Sequence, residues 1–384
     1  MHSVAIIGIG QVPVSEHWDK SIREIGGEAA IKALNDSGRV SVDGVFVGNM
    51  MSGILSKQEN LSALLADWIG LRGIEAAKIE AACGSGGAAF RMGLMAVNSG
   101  FMESALVVGV EKMTESLSSE TTAGLATAAD ADFESAQGLS FVAINAMVMR
   151  RYMHEFGWKH SDFAPFSINA HANAVNNPFA RLHEPITEEE YAKARMIADP
   201  INLLDASPIG DGAAAVILAN VDSTAYNNRP VIKVIGSGSA TDSVAVHDRN
   251  EPTWLAAAEQ SANMAYRQAG LSPNDIDLFE LHDAFSIMSV LSLEAVGFVE
   301  RGQGPRLGLD GKIGITGKIP ITTMGGLKAR GHPVGATGIY QIVEIVNQLR
   351  GEAGKNQVPN AKIGMAQNIG GSGSAIFTHI LAAP

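Results

Sequence analysis

Cysteine is almost absent. One stands in a chain of 384 residues, Cys83, so no internal disulfide can form and a bridged secreted scaffold is excluded. Aromatic residues are scarce, at 6%. The formal net charge of −12 is spread along the chain without a basic stripe, which argues against nucleic acid as a partner. It does not exclude phosphate-bearing ligands, because a local basic patch can still hold them. Apolar runs stop short of the roughly 18 residues that span a bilayer, so no membrane is expected. The start, "MHSVAIIGIGQVPVS", lacks the basic lead of an export signal and reads as a buried first strand. A soluble, reducing, cytoplasmic setting is the expectation.

What is present is apolar and flexible: 46% of residues are hydrophobic and 42 are glycine. That balance suits an α/β architecture with many tight strand–helix turns and excludes disorder. The order of elements repeats. "VAIIGIGQV" (4–12) and "VIKVIGSGS" (231–239) are each a strand ending at glycines. Each is followed by an amphipathic helix and a second strand with an acidic lead. "IEAACGSGGAAFRMGLMAVNSG" (79–100) and "MGGLKARGHPVGATGIYQIVEIVNQLRG" (324–351) are each a glycine-rich turn opening a helix. One α/β unit, copied once, accounts for this order. The expected halves are 1–222 and 223–384, divided at the polar "STAYNNRP" (223–230), with an insertion at about 115–205 in the first. An insertion of that length usually covers a site.

Cys83 lies between an apolar strand and a helix start, ahead of "GSGG". A free cysteine is most often a small buried hydrophobe. Here the tight turn and the positive end of a helix dipole predict a lowered thiol pKa and a nucleophile. "GHPVGATG" (331–338) occupies the corresponding turn of the second copy. If a pseudo-twofold axis relates the copies, the two helix starts face each other and His332 comes near Cys83. Its imidazole could then take the thiol proton.

The motifs "ACGSG" (82–86), "HDAF" (282–285), "GHPVGATG" and "NIGGSGSA" (368–375) resemble, in this order, those of the thiolase superfamily. "SINAHANAVNNPFARLHEP" and "SPIGDGAAAVIL" extend the match, and the resemblance covers essentially the whole chain. It is nearest to archaeal and sterol-carrier-type thiolases, where a histidine, here His282 of "HDAF", stands in place of the asparagine that many thiolases have in that motif.

The resemblance implies a five-layered αβαβα sandwich of two βαβαβαββ halves with an inserted loop domain. It implies an acetyl-CoA C-acetyltransferase, joining two acetyl-CoA into acetoacetyl-CoA or cleaving that product, through an acetyl thioester on Cys83. No cofactor is implied beyond coenzyme A thioesters as substrates. His332 and a water on His282 match the family's site for the enolate oxygen. The N–H groups of Cys83 and Gly370 match its site for the tetrahedral intermediate. The relatives form homodimers or homotetramers. Archaeal members suggest a neighbouring hydroxymethylglutaryl-CoA synthase, bridged by a small acyl-CoA-binding protein, at the head of the mevalonate pathway.

Two positions depart from the pattern. Many thiolases carry a second, proton-moving cysteine where this chain has Asn368, and some sterol-carrier-type members carry one where it has Ala284. Asparagine does not titrate. One reading gives the acid–base work to His332 and His282. The alternatives are a related acyl-CoA condensing enzyme and a non-catalytic acyl-CoA-binding or lipid-carrier subunit.

Overall fold

The computed structural model describes residues 4–221 and 225–384. The expected boundary at 222/223, and the first three residues of the chain, lie outside the described residues. Nine strands form one hydrogen-bonded sheet: β1 Val4–Gln11, β2 Gly44–Gly48, β3 Glu75–Ile79, β4 Ser104–Glu111, β5 Gly212–Asn220, β6 Ile232–Thr241, β7 Leu278–Glu280, β8 Ile363–Gly370 and β9 Ala375–Ala382. Their spatial order is β7-β8-β9-β6-β1-β5-β4-β2-β3.

Read outward from the β1–β6 seam, both sides follow one plan. The first copy runs β1-β5-β4-β2-β3, the second β6-β9-β8-β7. In the second copy the outermost strand shrinks to one parallel bridge, Phe279 to Ile321. Two antiparallel pairs, Ala5 with Lys233 and Ile6 with Ile232, join the copies.

Period-two alternation decides the layering. In β4, Ala105 and Val107 face one hydrophobic cluster, while Leu106, Val108 and Val110 face another. The helices that matter are α1 Ile22–Ser37, α2 Leu61–Trp68, α3 Ser85–Asn98, α4 Phe141–Phe156, α5 Ala164–Ala174, α6 Ala256–Ala269, α7 Ser286–Ala295 and α8 Thr337–Arg350. α1 and α2 cover the outer face of the first copy. α3 and α8 fill the centre, against residues of both copies. α6 and α7 cover the outer face of the second. The result is the five-layered duplicated thiolase fold.

α8 shows what a central layer demands. Every residue of it except Asn347 is buried, so its polar side chains must find partners inside. Gln341 donates to the carbonyls of Glu280, Leu281 and Gln367 at 3.2, 2.9 and 3.1 Å. Glu344 pairs with the fully buried Arg330 at 2.9 Å. α3 and α8 meet at their first turns, where only glycine fits. A Cβ on Gly86 would stand 2.9 Å from the Gly335 carbonyl, and one on Gly338 would stand 2.4 Å from both Asn368 Oδ1 and Gly87 N. The chain between β4 and β5 carries α4 and α5, which pack against α7 and cover the two helix starts from one side.

Candidate active site

Cys83 occupies the turn between β3 and α3. Ala82 takes a left-handed φ of 51°, and Ser85 ties the turn by accepting from Ala81 N at 2.9 Å and donating to the Ala82 carbonyl at 2.6 Å. The thiol is buried among Met50, Met51, Met113 and Val334. Burial pushes it up to about 12, and the negative charge of Glu111 adds to the shift. The sequence predicted the opposite. Cys83 sits two residues before the first residue of α3, and loss of solvent outweighs the helix dipole there. The resting group is a neutral thiol.

His332 follows a five-residue π-helical turn, Gly326–Arg330. Its N–H donates to the Pro208 carbonyl at 3.1 Å, and its Nδ1 lies 2.7 Å from Thr337 Oγ1. Among the described residues no hydrogen bond engages Nε2, and the residue lines the main cavity. Burial, then the neighbouring His282 and Arg330, hold its pKa well below the usual range. His282 follows β7, its ring edge-on to that of His332 with centroids 5.1 Å apart. The Asn368 amide and the Ile369 N–H both reach His282 Nδ1, at 3.2 and 3.4 Å. A backbone N–H can only donate, so Nδ1 is the acceptor and the proton sits on Nε2. Burial and Arg330 lower His282 to about 3, so it too is neutral.

Asn368, near the end of β8, spans the two copies. It donates to the Cys83 carbonyl at 3.1 Å and accepts from Gly87 N at 2.9 Å. The Gly370 backbone presses on the same turn, and a Cβ there would meet the Ala81 carbonyl at 2.3 Å.

Cys83 and His332 open on one cavity of about 440 Å³, walled mainly by apolar groups such as Leu125, Phe141, Val142, Leu203 and Phe285. His282, Asn368 and Gly370 stand behind that wall rather than in it. A second cavity of about 410 Å³, at the β1–β6 seam beside Arg91 and Gln268, has no cysteine, histidine or carboxylate in its wall.

Three residues were not singled out in the sequence. Lys328 and His171 line the main cavity. Glu111, at the end of β4, accepts from Met50 N, Met51 N, Gly335 N and Asn49 Nδ2 at 2.8–3.1 Å, so it fastens the histidine turn to the thiol's surroundings. Burial pushes its carboxyl up to about 7 against these donors. The available signal was a charged residue ending an apolar strand, "VVGVE" (107–111). Among the described residues, no group of three or more His, Cys, Asp or Glu could hold a metal ion, and no helix is long and apolar enough to cross a membrane.

This fold and these two turns are those of a thiolase. Residues 4–222 match the family "Thiolase, N-terminal domain" and residues 238–383 match "Thiolase C-terminal domain-like"; the chain belongs to the thiolase family and is an acyltransferase. It is 46% identical to an acetyl-CoA acetyltransferase of Methanothermobacter thermautotrophicus, over the whole of both chains. It is 30% identical to sterol carrier protein 2 of Bos taurus, across 98% of this chain and 71% of that protein. Among solved structures it is similar to an Ltp2–ChsH2(DUF35) aldolase, with a TM-score of 0.85 and 24% identity over 99% of this chain and 98% of the other. At that identity the likeness is one of fold.

Proposed function

We propose that the chain is an acetyl-CoA C-acetyltransferase that joins two acetyl-CoA into acetoacetyl-CoA and coenzyme A, or runs the reverse thiolysis, through an acetyl thioester on Cys83. The observation that carries this reading is the pairing of the one thiol with the His332 imidazole on a single apolar-walled cavity. The names of the archaeal relatives support the acetyl group in particular.

Cys83 rests as a neutral thiol, so it needs a base at the moment of attack. His332 is neutral, and its Nε2 is uncommitted, which suits it to take that proton. Negative charge then grows on the thioester oxygen. The N–H groups of Cys83 and Gly370 belong to the turn and strand end that press together, and fixed donors of that kind stabilise a tetrahedral oxyanion. In the condensation step His282 Nε2–H is the donor to a water that, with His332, meets the enolate oxygen, since His282 itself stands behind the cavity wall. Coenzyme A thioesters are the substrates, and no other cofactor is required.

The reading includes a homodimer or homotetramer. β3 ends the sheet and its first three residues are exposed, which leaves a strand edge open to a second copy. It also includes a cytoplasmic setting. Supply of acetoacetyl-CoA to a hydroxymethylglutaryl-CoA synthase through a bridging acyl-CoA-binding protein fits the likeness to an assembly that contains a DUF35 protein.

A second reading is favoured by Asn368, which cannot move a proton: a related condensing enzyme or an acyl-CoA-binding subunit. Incubation with radiolabelled acetyl-CoA separates the readings. A thiolase gains label at Cys83 and releases acetoacetyl-CoA. A condensing relative gains label without that product, and a carrier gains none. Cys83→Ala should abolish both label and product while the protein still folds and binds coenzyme A. Turnover above about a thousandth of wild type would point to another nucleophile.

A further inference from the structure

With His332 engaged by the Cys83 proton, the site as described lacks a group for the second proton, the one that leaves the α-carbon and the one that the departing thiolate needs. Cys83 holds its proton tightly, and both histidines stay neutral. The second cysteine of other thiolases is replaced by Asn368, and Ala284 offers nothing. Glu111 is committed to its ring of donors and is not on the cavity wall.

Lys328 is on that wall, together with Cys83 and His332. Its residue is 1% exposed, and it belongs to the π-helical turn that leads into His332, a local geometry often found at functional sites. The turn is anchored: Leu327 N and Lys328 N donate to the Asp283 carboxylate at 2.7 and 3.3 Å, next to His282. Lys328 Nζ donates to the Asp205 carbonyl. Among the described residues it forms no ion pair within 4.0 Å, so the other ammonium hydrogens are uncommitted. The charged and titratable groups facing it are the Asp205 and Asp283 carboxylates and the His171 imidazole. Asp205 is itself held by His160 and Tyr191. Burial lowers the Lys328 ammonium to about 8, and the two carboxylates oppose that shift.

We propose that Lys328 is the proton carrier of the reaction, in the place that a second cysteine takes in other thiolases. The proposal rests on the acetyl-transfer reading above. In the first half-reaction Cys83 Sγ attacks the acetyl-CoA carbonyl and its proton passes to His332 Nε2. The carbon–sulfur bond to coenzyme A breaks, and the departing thiolate takes a proton from the Lys328 ammonium. Acetyl-Cys83, free coenzyme A and a neutral amine result. In the second half-reaction the amine takes an α-proton from another acetyl-CoA. The carbanion forms a carbon–carbon bond to the acetyl carbonyl, the bond to Sγ breaks, and His332 returns its proton to Cys83. Lys328 finishes as the ammonium it began as.

The test uses the full-length enzyme, Lys328→Met and Lys328→Arg. Three quantities are measured: acetylation of Cys83 by mass, deuterium uptake from D2O into the acetyl group of acetyl-CoA, and steady-state condensation with its pH profile. Both variants should still form acetyl-Cys83 at the end of a long incubation, but more slowly, because the departing thiolate has lost its proton donor. Deuterium uptake and condensation should fall by about 10²-fold or more. The wild-type profile should show a limb near pH 8 that both variants lose. Arginine keeps the charge without titrating, so Lys328→Arg within about fivefold of wild type overturns proton transfer by this residue. Should Lys328→Met fail to fold, Lys328→Arg and the wild-type deuterium profile decide the matter. Wild-type protein that never forms acetyl-Cys83 defeats the acetyl-transfer reading instead.

Discussion

Asn368 holds the carbonyl of Cys83 from 285 residues away in the chain, and its other arm receives the N–H of Gly87. One carboxamide thereby fixes both ends of the nucleophile turn to the second copy. Asn368→Ala leaves a buried acceptor and a buried donor unpaired, which should cost about 1–3 kcal/mol of stability. Its effect on rate should be smaller than that of removing His332, since the amide moves no proton. Urea unfolding and steady-state kinetics on one variant check both statements. A rate loss larger than that of His332→Ala would make Asn368 more than a clamp.

The two histidines should separate kinetically. His332→Ala should slow both acetylation and condensation by about 10²–10⁴-fold, as loss of a general base typically does. His282→Ala should spare acetylation and slow condensation, because an enolate exists only in the second step. Burst and steady-state measurements distinguish them. Condensation untouched by His282→Ala would remove that residue from the chemistry.

Cys83 alkylation should report the buried thiol. With iodoacetamide and no substrate, inactivation should quicken about tenfold per pH unit from 7 to 10, without levelling off. Levelling near neutrality would mean a stable thiolate–imidazolium pair. Glu111→Gln removes the negative charge that contributes most to raising the thiol, so alkylation at fixed pH should become faster. The amide keeps one of the two acceptor oxygens, so either the Met50 and Gly335 N–H groups or the Met51 N–H and the Asn49 amide lose their partner, and stability should drop by about 1–3 kcal/mol.

His379, away from the cavity, tests the electrostatics of the core. Its ring lies against Ser237 Oγ and the Gly87 carbonyl, and burial lowers it from the ordinary 6.5 to about 3. Between those values the unfolded chain binds a proton that the folded one refuses. The folded state therefore loses about 1.4 kcal/mol per pH unit through this group as pH falls. Glu280 and Glu111 work in the opposite sense, since burial raises them to about 8 and 7. The readout is thus a difference: between pH 6 and 4, His379→Gln should lose stability less steeply than wild type. Parallel curves would contradict a buried neutral imidazole.

The order of layers was legible because both copies carry the same strand–helix alternation, and the glycines of "GSGG" and "GATG" announced close turns. The contribution of Lys328 was not. A lysine in "GGLKARGHP" reads as a solvated charge until chain 123 residues away covers it and offers the Asp205 carbonyl. The thiol's acidity was misjudged for a related reason. Helix dipole and burial oppose each other at Cys83, and sequence ranks neither. The weak outer strand of the second copy also escaped notice, since Pro320 next to the Ile321 bridge leaves little to pair.

The seam between β1 and β6 has a further meaning. In a pair of identical half-chains docked this way, the two central helix starts would carry the same residue: two thiols facing each other, or two imidazoles. Neither pair sets a nucleophile against a different kind of group that would take its proton. Joining the copies in one chain freed each turn to diverge, so one holds the acid and the other its acceptor. The asymmetry of the reaction is thus written on a nearly symmetric scaffold, and the covalent link between the copies is what makes it possible.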